Sequence, residues 1–249
     1  MLTETTVNKL HEMKLGVMAS AFKEQLEDGN FNALSFDERF GLLVDMEWTA
    51  RKNNRMRKLI KSAGYAMPEA CIEDIEYHAD RGIDKAQIAR LSTCQYIAEA
   101  HNIIILGATG SGKTYFSNAF GMTASRKFYT AKYVRIPDLM GELAIARGDG
   151  TFRKVINKYK QVSLLILDEW LLFPPKETEA RDILEIVEAR HKKVSTIFCS
   201  QFEVAGWYHK IGEPTLADAI CDRIVHDSYT IIIGGKESMR GRKGIKTET

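Results

Sequence analysis

Long apolar runs are missing from this 249-residue chain. No stretch approaches the roughly 20 residues that a bilayer-spanning helix needs, and the N-terminus lacks the apolar segment of a secretory signal. The expectation is a cytoplasmic protein with no membrane partner. Cysteine is scarce, and Cys71, Cys94, Cys199 and Cys221 form no C-x-x-C pair and stand at no metal-ligand interval from a histidine. They read as small buried apolar residues in a reducing compartment. An excess of either charge is also lacking: 35 basic and 33 acidic residues leave a net +2, so any partner must be read from where the charges lie. The rest is ordinary for a globular protein, with 45% hydrophobic residues and a length that suits one large or two small domains.

Against that background one stretch stands out. Gly107-Ala108-Thr109-Gly110-Ser111-Gly112-Lys113-Thr114 matches the phosphate-loop pattern G-x-x-x-x-G-K-[ST] at every fixed position. The glycines let the backbone curl into a nest whose N–H groups point at one anion. Lys113 can reach the β- and γ-phosphates of a nucleotide, and Thr114 can place its hydroxyl on the bridging Mg²⁺. The flanks agree. Asn102 to Leu106 is a β-branched run suited to a buried strand, and Thr114 to Arg126 reads as a helix whose N-terminus adds positive partial charge.

Ahead of the loop, Val7, Leu10, Met13, Val17, Met18, Phe22 and Leu26 recur at helical spacing, which predicts a helix over 3–27 bent at Gly16. Ser35-Phe36-Asp37-Glu38 has the form of a capping box and predicts a second helix to Ser62, stopped near Gly64. The first half of that helix is acidic. Its second half carries Arg51, Lys52, Arg55, Arg57, Lys58 and Lys61 with no acid among them. Two readings fit these six residues: a solvated face that complements the helix dipole, or a surface that contacts the phosphates of duplex DNA. Residues 68–100 read as turns between short helices, and Arg81-Gly82-Ile83 is either plain linker or a wall beside the base or ribose.

Behind the loop, strands and helices alternate, which argues for an α/β protein with a parallel sheet. Strands are expected at 132–136, 164–167, 194–199 and 229–233, and helices at 138–147, 152–159, 177–191 and 214–225. Leu164 to Leu167 runs into Asp168 and Glu169 about fifty residues beyond the loop. An Asp at the end of a core strand beside the loop is placed to hold Mg²⁺, and the Glu after it can polarise a water for attack on the γ-phosphate. Ser200 and Gln201, at the next strand end, offer a polar group that senses the phosphate, or simply a polar strand terminus. A small-molecule kinase on the same loop would need a substrate pocket and an Arg-bearing lid, neither legible here, and would leave Glu169 without a role.

The series GATGSGKT, LLILDEW, STIFCSQFEVAGW, GEPTLADAICDRIVH and GGKESMR, preceded by LSFDERFGLLVDMEWTAR, resembles the IstB-type ATP-binding proteins of insertion sequences. These are AAA+ ATPases similar to the DnaC helicase loader. The resemblance covers nearly the whole chain. It implies a helical domain at 1–66, an AAA+ domain at 67–249 with a short basic tail, and, because the chain stops soon after Arg240, no sizeable C-terminal lid. It implies a helper ATPase that binds duplex DNA, self-associates with ATP and Mg²⁺, and assists a transposase; a helicase loader is the alternative. It further implies Ser200 as the phosphate sensor, Arg223 as an arginine finger acting on a neighbouring copy, and Arg240 as a second sensor.

Overall fold

The computed structural model describes residues 2–235 and Met239. By internal contacts the chain divides into two compact units, Met1–Lys58 and Leu59–Thr249.

The first unit is helical. Where the spacing predicts one bent helix, there are two, α1 (Leu2–Glu12) and α2 (Gly16–Glu27). The break comes earlier than Gly16, at Lys14, whose φ of 61° is left-handed and ends the first helix. A long helix, α3 (Phe36–Ala63), follows a short 3₁₀ turn and runs past the division at Lys58. It starts where the capping box predicts: the Ser35 N–H donates to Glu38 Oε2 at 2.8 Å, and the Glu38 N–H donates back to Ser35 Oγ at 3.4 Å. Glu47 on α3 is buried and accepts from Arg51 Nε at 2.6 Å and from the Met18 N–H at 3.0 Å. Those two donors hold its carboxyl below the usual range, the Arg51 bond first.

The second unit is a parallel five-stranded sheet with helices on both faces, as the alternation of elements predicts. In chain order it comprises α4 (Lys85–Ser92), α5 (Gln95–Ala98), β1 (Asn102–Gly107), α6 (Lys113–Arg126), β2 (Ala131–Arg135), α7 (Ile136–Gly148), α8 (Phe152–Gln161), β3 (Leu164–Asp168), α9 (Glu177–Arg190), β4 (Ser195–Ser200), α10 (Val204–Ile211), α11 (Pro214–Val225) and β5 (Ser228–Ile233). The strand order is β2-β3-β4-β1-β5, all neighbours parallel. Helix α10 is the element that the periodicity did not anticipate.

Because β1 is covered on both faces, it is apolar throughout, and its alternating residues feed two cores. Ile103 and Ile105 join Phe116 and Phe120 of α6 with Tyr65, Ile88 and Ile97. Ile104 and Leu106 join Leu139, Leu143, Ile156, Ile183, Trp207 and Ile220 on the other side. The buried guanidinium of Arg190 ties the start of β4 to the end of α8, donating to Thr196 Oγ1 at 2.9 Å and to the carbonyls of Tyr159 and Val162, both at 2.8 Å. Burial lowers its pKa to about 9. This layering places the C-terminal ends of β1, β3 and β4 side by side at one edge, where chemistry in such sheets is built.

Candidate nucleotide-binding site

The loop leaves β1 at Gly107 and enters α6 at Lys113. A Cβ on Gly107 would lie 2.6 Å from Ser111 Oγ and 2.7 Å from the Ile233 carbonyl oxygen, so no larger residue fits that turn. Gly110 and Gly112 adopt φ of 80° and 102°, which L side chains rarely tolerate. Lys113 Nζ folds back to donate to the carbonyls of Gly107 at 2.7 Å and Ala108 at 2.9 Å. Its burial lowers the ammonium's pKa below the ordinary lysine value. Ser111 Oγ is buried and makes no hydrogen bond to another described residue, the condition of a donor that a phosphate oxygen would satisfy.

Asp168 ends β3 with 4% exposure, yet both of its carboxylate oxygens are engaged. Oδ2 accepts from Thr114 Oγ1 at 2.7 Å and from the Tyr133 hydroxyl at 2.8 Å, while Oδ1 accepts from the Glu169 N–H at 2.8 Å. Burial, then the neighbouring Asp168 charge, pushes the Tyr133 phenol far up, so Tyr133 remains a donor. Thr114 and Asp168 therefore form a pair of hard oxygen donors. Such a pair suits Mg²⁺, which keeps most of its waters and takes its other oxygens from substrate phosphates. Among the described residues no cluster of three or more His, Cys, Asp or Glu offers a metal site made by protein alone.

Glu169 stands in the left-handed region at φ 57°, and so does Leu171 at 54°. Strain of this kind persists only where neighbours dictate it. Here the clamp is Trp170 between them. Its ring is fully buried, 4.8 Å from Phe198; the Trp170 backbone N–H donates to the Cys199 carbonyl at 2.8 Å, and its backbone carbonyl accepts from Ser200 Oγ at 3.0 Å. The Glu169 carboxylate, thrown outward, accepts from Arg135 Nη2 on both oxygens at 2.8 Å. Register explains the meeting, since Arg135 of β2 is aligned with Asp168 of β3.

Ser200 and Gln201 divide sharply. The Ser200 hydroxyl is 1% exposed and committed to the Trp170 carbonyl and to the Phe202 N–H at 3.1 Å. Gln201 instead reaches the loop, accepting from Thr109 Oγ1 at 2.9 Å. Because β4 lies between β1 and β3, its end sits between loop and Asp168.

Arg223 is apart from this group. It lies near the end of α11, donating to Glu188 Oε1 at 2.8 Å, and its carbonyl meets His191 Nδ1 at 3.1 Å. His191 precedes β4 and α11 precedes β5, so Arg223 belongs to the edge where strands begin, opposite the loop. It does not serve the site of its own chain in this arrangement. Arg240 lies outside the described residues.

On α3, Arg51, Lys52, Arg55, Arg57, Lys58 and Lys61 are all exposed. At about 100° per residue, Arg51, Arg55 and Lys58 fall within roughly 60° of one another and Arg57 and Lys52 to either side. Arg51 is already bonded to Glu47 and to the Lys14 carbonyl at 2.6 Å, and Lys52 Nζ sits 4.5 Å over the Trp48 ring.

Tyr133 and Arg135 escaped the sequence reading. Alternation along β2 does put them on one face, but only strand order sets that face beside Asp168 and Glu169.

Comparison with known proteins agrees with this geometry. A family model described as IstB-like ATP binding protein matches residues 8–247. The chain is 38% identical over 243 residues to a Sinorhizobium fredii protein named as insertion sequence ATP-binding protein y4pL, covering 98% of this chain and 99% of that one. It is 40% identical over 201 residues to the protein named as the ATP-binding protein of insertion sequence IS1162 from Pseudomonas fluorescens, covering 81% and 87%. Solved structures share the fold: DnaI, with TM-score 0.56 and 21% identity over 71% of this chain and 93% of that one, and the DnaC helicase loader, with TM-score 0.53 and 17% identity over 66% and 97%. Among the described residues no helix is long and apolar enough to cross a membrane. With residues 8–247 matched by the family model and a 38% identical relative covered almost end to end, the chain belongs to the IstB-like ATP-binding protein family and has the α/β P-loop AAA+ fold.

Proposed function

We propose that this protein hydrolyses ATP, assembles with ATP on duplex DNA, and assists the transposase of its insertion sequence in target selection and strand transfer. The observation that carries the hydrolytic part is the contact between Thr114 and Asp168, with Glu169 next in the chain. That contact is where Mg²⁺ would enter, held by the two oxygens and bringing Lewis-acid stabilisation of phosphate charge. Lys113 leaves the Gly107 and Ala108 carbonyls for the phosphates. Glu169, once free of Arg135, polarises the attacking water. Gln201 is the better sensor than Ser200, because it already touches the loop while the Ser200 hydroxyl is spent on backbone.

The position of Arg223 supports self-association. A cation at the strand-start edge completes the γ-phosphate pocket of a neighbouring copy, so turnover depends on assembly. Loss of the γ-phosphate then weakens the assembly and releases DNA. The exposed basic face of α3 supports the duplex contact, and the names of the relatives support the transposition setting.

The test is ATP hydrolysis and duplex binding at low salt, measured together. The wild type is expected to hydrolyse ATP faster with DNA present. Lys113→Ala should lose nucleotide-dependent assembly, and Glu169→Gln should remain assembled on DNA with turnover reduced at least ~100-fold. A wild-type protein that neither hydrolyses ATP nor shifts duplex DNA would end this reading.

A further inference from the structure

The nest that a phosphate loop forms has a reverse side. When its N–H groups converge on an anion, its carbonyls turn inward, and each one that is buried needs a donor. Two of those carbonyls, at Gly107 and Ala108, accept from Lys113 Nζ, a partner that must depart when phosphates arrive, and the Ala108 carbonyl accepts from the Ser111 N–H at 3.1 Å as well. A third, at Gly110, accepts from the Met239 N–H at 2.9 Å. The fourth, at Ser111, accepts from Arg81 Nη2 at 2.8 Å.

Arg81 is 4% exposed, which is uncommon for a guanidinium and makes its contacts well defined. Its other arm, Nη1, donates to the Glu76 carbonyl at 2.8 Å, and its plane lies 5.6 Å from the centre of the Phe116 ring in the first turn of α6. Gly112 permits this approach, since a Cβ there would come within 3.3 Å of Arg81 Nη2. The backbone of Arg81 is anchored as well: its carbonyl accepts from the Gly234 N–H at 2.8 Å, just past the end of β5. A Cβ on Gly234 would stand 3.2 Å from the Asp80 carbonyl oxygen and 3.3 Å from that of Arg81, so the strap formed by residues 76–82 and the exit of β5 meet backbone to backbone.

From these contacts we infer that Arg81 is the positioning residue of the phosphate loop. Its rigid fork holds Ser111 from behind, ties the loop to the 76–82 strap and to the exit of β5, and keeps the nest shaped when Lys113 swings out to the phosphates. It also contributes a fixed positive charge behind the anion site. Arg81 reaches the loop through a carbonyl and need not touch nucleotide. A lysine cannot replace it, because one ammonium cannot span two carbonyls with the geometry of a planar fork.

The inference rests on the loop being a nucleotide site and is tested on binding alone. ADP titration by calorimetry with the full chain, alongside thermal melting, compares the wild type with Arg81→Lys and Arg81→Met. Both variants are expected to bind ADP at least about tenfold more weakly while still melting cooperatively, and the Lys variant should recover little of the loss. A purely structural Arg81 would lower the melting temperature and leave ADP affinity within twofold, which would overturn the inference. Full recovery in Arg81→Lys would overturn it too, since charge alone would then suffice. If Arg81→Met does not fold, the Lys variant decides. A wild-type protein without ADP affinity would remove the nucleotide reading itself and this inference with it, whereas a binding wild type with equally good variants removes Arg81 only.

Discussion

Arg135→Ala is expected to make the protein a faster ATPase in the absence of DNA. In the structure both Glu169 oxygens accept from Arg135 Nη2 at 2.8 Å, so the group proposed to polarise water is held by a cation. Hydrogen bonds to charged groups are worth roughly 1.5–3 kcal/mol when shielded, and exposed ion pairs about 0.2–1 kcal/mol. The Arg135 side chain is 48% exposed and that of Glu169 29%, which places this pair near the lower figure, at about 1 kcal/mol. With 1.36 kcal/mol per factor of ten, releasing the carboxylate raises its free fraction about fivefold. Turnover at saturating ATP should rise by up to that factor. Steady-state phosphate release from Arg135→Ala without DNA measures it, with Arg135→Lys expected between variant and wild type. An unchanged or lower rate would refute the reasoning, because Arg135 would then be orienting Glu169 productively instead of withholding it.

Gly121→Ala should destabilise the second unit by roughly 1–2 kcal/mol despite alanine's better helix propensity. The new Cβ would stand 2.4 Å from Tyr65 Cε1 and 2.8 Å from Ile166 Cδ1, and Tyr65 cannot retreat easily, its hydroxyl being bonded to the Gly121 carbonyl at 2.6 Å and to Ser125 Oγ at 2.7 Å. Thermal melting checks it; an unchanged transition would show that the ring moves freely. Nucleotide affinity should weaken with rising pH before an ordinary lysine titrates. Burial lowers the Lys113 pKa, only the protonated form attracts phosphate, and bound phosphate raises that pKa, so binding takes up a proton in that window. Calorimetry of ADP binding in buffers of different ionisation enthalpy reads the uptake directly, and none at alkaline pH would contradict it. Replacing Arg51, Arg55 and Lys58 together by alanine should reduce the slope of log K for duplex DNA against log salt by about 2 to 3, at roughly 0.9 per lost phosphate contact. The lower figure applies if Arg51 keeps its bonds to Glu47 and Lys14. An unaltered slope would assign the basic half of α3 to solvation.

Legibility in the sequence followed the range of the interactions concerned. The loop from Gly107 to Thr114, the strand ending at Asp168, the capping box at Ser35 and helix α11 are specified by residues within a few positions of one another, and the structure places them where the pattern does. The break at Lys14 and the separate helix α10 were less legible, because helical spacing alone does not mark where one helix ends and another begins.

By itself the sequence determined the chemistry that local backbone and side chains can hold: a glycine-rich anion nest with its lysine and hydroxyl, an acid pair at a buried strand end, and alternating elements that require a parallel sheet. Only tertiary structure decided which distant residues serve that chemistry. Strand order set Tyr133 and Arg135 on the acid pair, put Gln201 against the loop while turning Ser200 inward, carried Arg223 to the opposite edge, and brought Arg81 under Ser111. Such pairings span 30 to 92 residues of chain and depend on register and layer packing, to which no residue's immediate neighbours bear witness.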